Sequence, residues 1–154
     1  TLDRSSAASD VYKRQPLMIK AAAQHTGKKT ADLCYLIDVF PTLCDMLQLP
    51  VPQSVDGISL LSSLDGKEPV RDYLYYSYMD NQRGISDGTW KLIEYHVNGK
   101  RTTQLFNLKN DPWERNDLSG QKKYEKTIQR LREKMAEEQK RTNDTSVFWN
   151  NFNY

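Results

Sequence analysis

The chain has 154 residues, enough for one domain with a real core and too few for two comfortable ones. Its 22 Lys and Arg against 20 Asp and Glu leave a formal charge of +2, without the electrostatic footprint of a nucleic-acid binder, and no apolar run reaches the length of a membrane span. Apolar residues at 38% and aromatics at 10%, nine of them Tyr, describe a folded domain with polar, loop-rich stretches rather than disorder.

Cys34 and Cys44 have no His or second Cys at metal-ligand spacing, so buried thiols are expected rather than a zinc site or a redox pair. Residues 1–15 show no apolar period, and Ser5 to Gln15 look like translated sequencing-adapter DNA. A non-native leader is therefore expected there, with the true chain cut at residue 16.

Pro16-Leu17-Met18-Ile19 has the length of a buried strand, and Ala31 to Ile37 is apolar enough to approach a core. Asp38 offers a side-chain acceptor, Pro41 suits a first helical turn, and Leu43, Met46 and Leu47 recur at helical spacing. A helix over about 39–48 follows, stopped by Pro50 and Pro52. In the connection 49–72, Gly57 permits a turn, Ser59 can cap a short helix through Leu64, and Gly66 ends it.

From Tyr73 the texture becomes that of strands: 73–79, then 83–86, then 90–97. Asn98-Gly99 is a strong hairpin signal because both residues tolerate positive φ, so 102–108 returns as a fourth strand. Asn107, Asn110, Asp111 and Pro112 then end pairing and turn the chain toward a helix that Asp117 or Ser119 can cap. In that helix Tyr124, Ile128, Leu131 and Met135 fall four, three and four apart, a stripe that must lie on the sheet. Replacing Pro112 or Trp113 by Ala is expected to weaken folding, and Phe148, Trp149, Phe152 and Tyr154 are expected to dock. The fold class is α+β, a small antiparallel sheet of about four strands with a long C-terminal helix packed on it.

Catalytic patterns are sparse. The chain has no Gly-rich phosphate loop, no nucleophile-elbow Ser and no clustered metal ligands, and His25 and His96 do not suggest a pair. Asp111, Glu114 and Asp117 are explained as turn and capping residues rather than a cation site. Ligand contact is best sought in the aromatic strand 73–79 and the polar turn after it, where Tyr faces can stack on sugars and Arg83 can fork onto an anion. Arg83, with Asp80 and His25, forms the candidate substrate-contact set.

An ordered set of motifs resembles the C-terminal part of a type-I sulfatase of the alkaline-phosphatase-like superfamily. They are Pro16-Leu17-Met18-Ile19, which resembles the strand just past that family's last active-site segment, Asp38-Val39-Phe40-Pro41-Thr42-Leu43, Asp56-Gly57-Ile58-Ser59-Leu60, Trp90-Lys91-Leu92-Ile93, and Leu105-Phe106-Asn107-Leu108 with Asp111-Pro112, Glu114, Asn116 and Leu118. Asn107 stands where that family usually has Asp.

The resemblance implies hydrolysis of sulfate esters, on sulfated glycans as the family-level expectation, by a parent that uses a formylglycine nucleophile and a calcium ion. Neither Cys34 nor Cys44 sits in the Cys/Ser-x-Pro-x-Arg context that formylglycine requires, so this chain is expected to carry no catalytic residue, metal ligand or cofactor of its own. Residues 16–66 would be the end of the α/β catalytic domain and 67–154 the C-terminal subdomain, inactive alone, with the missing N-terminal catalytic domain as partner. A periplasmic or secreted location also follows from the resemblance. Two alternatives stand beside it: a self-standing carbohydrate-binding or interaction module, and part of a phosphoesterase of the same superfamily.

Overall fold

The structure, a computed structural model, describes residues 16–20, 27 and 29–145. Its centre is a four-stranded antiparallel sheet in simple meander order, β1 (Leu74–Tyr78), β2 (Gln82–Ser86), β3 (Trp90–Val97) and β4 (Lys100–Asn107). Helix α1 (Val39–Met46) and the single turn α2 (Leu61–Leu64) precede the sheet, and α3 (Glu125–Arg141) follows it. The α+β reading therefore holds.

Register sets which side chains reach the core. Tyr75 pairs with Ile85, Ile85 with Leu92 and Leu92 with Leu105, so one residue from each strand lines up across one sheet face. Ile128, Leu131 and Met135 of α3 close over that row, and Ile85, Leu92, Leu105 and Leu131 are all fully buried. Trp90 and Tyr124 extend the core with rings 5.2 Å apart at 57°. The Asn98-Gly99 turn forms with both residues at positive φ, 52° and 73°, the twist a tight hairpin needs.

Both sheet edges are covered. Tyr35 Oη accepts a hydrogen bond from the Tyr75 amide at 2.5 Å and donates to the Tyr75 carbonyl at 3.1 Å, occupying the outer edge of β1. On β4, the Leu118 amide donates to the Leu105 carbonyl at 2.9 Å and Ser119 Oγ to the Thr103 carbonyl at 2.9 Å.

Four expectations change. Residues 16–20 form no strand, since no described segment pairs with them, and Met18 is 86% exposed. Neither Asp117 nor Ser119 caps α3, whose N-cap is Tyr124; Asp117 Oδ1 instead accepts from the Leu105 and Ser119 amides at 3.0 and 2.9 Å. Trp113 is 67% exposed, so the corner does not depend on its burial. The Leu43 and Leu47 side of α1 faces outward, while Asp38, Pro41, Thr42 and Cys44 face in. Phe148, Trp149, Phe152 and Tyr154 lie outside the described residues.

Candidate functional site

The β1–β2 hairpin carries the sequence candidates. Three residues, Met79, Asp80 and Asn81, join the strands, with Met79 at φ 46°. Asp80 stands exposed at the tip. Arg83, by contrast, is buried: its Nε and Nη2 donate to the two carboxylate oxygens of Asp144 at 2.6 and 3.0 Å, and Nη1 donates to the Met79 and Gln82 carbonyls at 2.5 and 2.8 Å. Tyr75 Oη also donates to Asp144, at 2.7 Å, and burial together with this carboxylate pushes the phenol well above its ordinary range. The guanidinium thus ties the hairpin turn to the segment just past α3. His25 lies outside the described residues.

The tyrosines of 73–79 divide by strand alternation. Tyr75 enters the α3 side, whereas Tyr78 is 61% exposed at the strand end.

A second constellation joins the segment around α1 to the sheet. Asp38, fully buried, accepts from Arg71 Nε at 3.1 Å and Nη2 at 2.5 Å, from the Tyr35 amide at 2.7 Å and from the Ile58 amide at 2.8 Å. Burial pushes this carboxyl up, but the Arg71 guanidinium and the two amides outweigh it and hold the group below the usual carboxylate range. Arg71 also lies over the Tyr35 ring, 4.6 Å from its centroid. Thr42 Oγ1 donates to the Asp38 carbonyl and accepts from the Leu60 amide at 2.9 Å. Gly57 is required for contact rather than for a turn, because a Cβ there would run into the Ile37 carbonyl.

The corner after β4 is fastened in the same way. Asp111 Oδ2 accepts from the Arg115 and Asn116 amides, both at 2.8 Å, and Asn107 Oδ1 accepts from the Asn110 amide at 3.1 Å, so Asn serves the turn where the family has Asp. Glu114, at φ 53°, receives both Lys91 Nζ contacts at 3.1 and 2.8 Å.

Sequence reasoning missed the Arg pairs that join distant elements: Arg83 with Asp144, and also Arg71 with Asp38, Arg130 with Asp87 at 2.7 Å, and Arg132 with Glu94 at 2.7 Å. The available signal was Glu94, a carboxylate next to the apolar pair Leu92-Ile93 in the middle of a strand, which demands a partner when buried. Thr103 Oγ1 meets its second oxygen at 2.7 Å.

These groups hold elements of the fold together. Among the described residues, no three His, Cys, Asp or Glu side chains are grouped so as to hold a metal ion. Burial first, then Asp38, pushes the Cys34 thiol up, the reverse of an activated nucleophile.

A meander sheet backed by one long helix, with the sulfatase-like motifs clasping its elements together, is the architecture of a C-terminal part of a sulfatase of the alkaline-phosphatase-like superfamily. The profile of the family described as N-sulphoglucosamine sulphohydrolase, C-terminal, matches residues 8–141, and the chain belongs to that family. It is similar to the N-acetylglucosamine-6-O-sulfatase of Bacteroides thetaiotaomicron, 29% identical over 144 residues, covering 85% of this chain and 26% of the relative. The N-acetylgalactosamine-6-O-sulfatase of the same bacterium is 28% identical, covering 70% of this chain and 24% of the relative. Among solved structures, BT4656 in complex with its substrate D-glucosamine-2-N,6-O-disulfate superposes with a TM-score of 0.60 at 28% identity, over 72% of this chain and 25% of that one. The chain thus spans about a quarter of the length of these relatives.

Proposed function

We propose that this chain is the C-terminal subdomain of a glycan sulfatase, inactive alone, which walls one side of the substrate cleft when joined to a preceding catalytic domain. The observation that carries the reading is the family match across 8–141, on a chain whose two cysteines both lie outside a Cys/Ser-x-Pro-x-Arg motif. The relatives' names favour amino-sugar substrates bearing 6-O-sulfate. Formylglycine and calcium would be supplied by that preceding domain.

Within the subdomain, the substrate-facing role falls to the β1–β2 hairpin. Asp80 is exposed at its tip, and Arg83 holds the turn in place through Asp144. Export to the periplasm or the exterior belongs to the same reading; among the described residues no helix is long and apolar enough to cross a membrane.

The test is to express the chain in frame with the polypeptide encoded upstream of it and assay sulfate release from 6-O-sulfated N-acetylglucosamine and N-acetylgalactosamine. Sulfate release supports the reading. Release of phosphate from phosphate monoesters without any sulfate release would assign the parent to the phosphoesterases instead.

A further inference from the structure

A cavity of about 440 Å³ opens between the segment leading into Tyr35 and helix α2, a volume within the range of small-molecule sites. One wall is Lys29, Thr30 and Asp32. The other is Ser63, Leu64, Asp65 and Lys67, and none of these side chains belongs to the clasps described above.

The α2 wall is fixed in place. The Gly66 amide donates to the Ser63 carbonyl at 3.0 Å and the Lys67 amide to the Ser62 carbonyl at 2.9 Å, with Gly66 at φ 73°, so the chain turns back at the end of α2 in one defined conformation. Opposite, the Asp32 amide donates to Thr30 Oγ1 at 3.1 Å. The Ser63 side chain has no such partner. The residue is 5% exposed, and its Oγ is buried without a hydrogen bond among the described residues. Buried hydroxyls are nearly always paired, because an unpaired one forfeits its bonds to water, and this one belongs to a wall of the cavity.

The lining chemistry narrows the ligand. Asp32 and Asp65 can accept from hydroxyl groups, Lys29 and Lys67 can donate to an anionic substituent, and Leu64 offers an apolar patch to the C–H face of a ring. The Lys67 ammonium lies 3.4 Å from Asp65 on a side chain that is 71% exposed, so it stays accessible to a ligand. Two carboxylates set against two ammoniums disfavour a bare sulfate or phosphate. The cavity also lies toward the end of the sheet away from the β1–β2 hairpin. Leu33, next to Asp32, lies against Gly88 in the β2–β3 turn, and β2 separates that turn from the hairpin tip by roughly 15 Å at the usual strand rise.

We infer that this cavity is a second saccharide site, which holds a hydroxyl-rich sugar unit bearing one anionic group, sulfate in the glycans proposed above, with Ser63 Oγ hydrogen-bonded to that unit. The inference rests on the sulfatase reading and deepens it: a glycan chain would be held here at one unit while another enters the cleft.

The test titrates the full 154-residue chain with N-acetylglucosamine 6-sulfate by isothermal titration calorimetry, alongside unsulfated N-acetylglucosamine and inorganic sulfate. Saturable binding of the sulfated sugar is expected, about tenfold or more tighter than either comparison ligand. Ser63→Ala and Lys67→Gln should each weaken it about fivefold or more without lowering the melting temperature, since removing an unpaired buried hydroxyl costs the fold nothing. Trp113→Ala, at the exposed corner after β4, should bind as the parent chain does. Absence of binding would overturn the inference, as would equal binding of either comparison ligand. Full affinity in Ser63→Ala, the sign of a hydroxyl that serves water alone, would overturn it as well. Binding is read without turnover, so a failed sulfate-release assay counts against the sulfatase reading and leaves this result standing.

Discussion

Asp38 and Arg71 meet through two hydrogen bonds, 2.5 and 3.1 Å, with both side chains almost wholly withdrawn from solvent. The pair joins the start of α1 to the approach to β1. Removing one partner of such a pair leaves a buried charge uncompensated, at a cost of about 3–5 kcal/mol. Arg71→Ala is therefore expected to lose most of the stability of a small domain in urea unfolding, and Asp38→Ala to do the same. The double variant should lose clearly less than the two losses added together, because the second substitution removes the orphaned charge left by the first.

Acid sensitivity follows from the same carboxylate. The pKa of Asp38 is lowered in the folded state, as is that of Asp87, where the Trp90 and Thr89 amides and Arg130 outweigh burial. A depressed folded pKa means that the unfolded chain binds the proton more readily. The stabilisation is complete above the ordinary Asp range near ~4 and is lost as pH falls through and below it. Melting temperature measured from pH 7 to pH 3 should fall steeply at the acid end, and Asp87→Asn should flatten that fall while lowering the plateau.

Gly57 offers a backbone test. Any Cβ at this position collides with the Ile37 carbonyl, and the Ile58 amide beside it serves Asp38. Gly57→Ala is expected to destabilise by about 1–3 kcal/mol in urea unfolding, as overpacking does, although alanine is otherwise the mildest replacement.

The corner after β4 separates two kinds of residue. Trp113→Ala, at an exposed site, should stay within about 0.5 kcal/mol of the parent chain. Asp117→Ala should cost about 1–3 kcal/mol, since the Leu105 amide at a buried position loses its partner. Thermal melts of the two variants compared side by side check the contrast.

How far the sequence disclosed this molecule depends on the range of the signal. The third strand, Trp90–Val97, lies where its strand-forming residues and the following Asn98-Gly99 placed it, because both signals are local. The stripe Ile128, Leu131 and Met135 was legible for the same reason, being carried by one helix. Arg71 was not. Its partner lies thirty-three positions earlier, and nothing in its neighbours distinguishes it from a solvated surface Arg. Arg83 was legible as unusual, but its engagement by Asp144, sixty-one positions on, depends on where α3 ends. The outward stripe of α1 was misleading for a physical reason: helical apolar spacing says that a face will be covered, and leaves open whether this chain or another covers it.

The most direct measurement is hydrolysis of a fluorogenic aryl sulfate by the purified 154-residue chain, alone and joined to the catalytic portion. The chain alone is predicted to release no product above buffer, and the joined protein to turn over. Sulfate-ester turnover by the chain alone would contradict the account, since it would require a nucleophile among residues assigned here to holding the subdomain together.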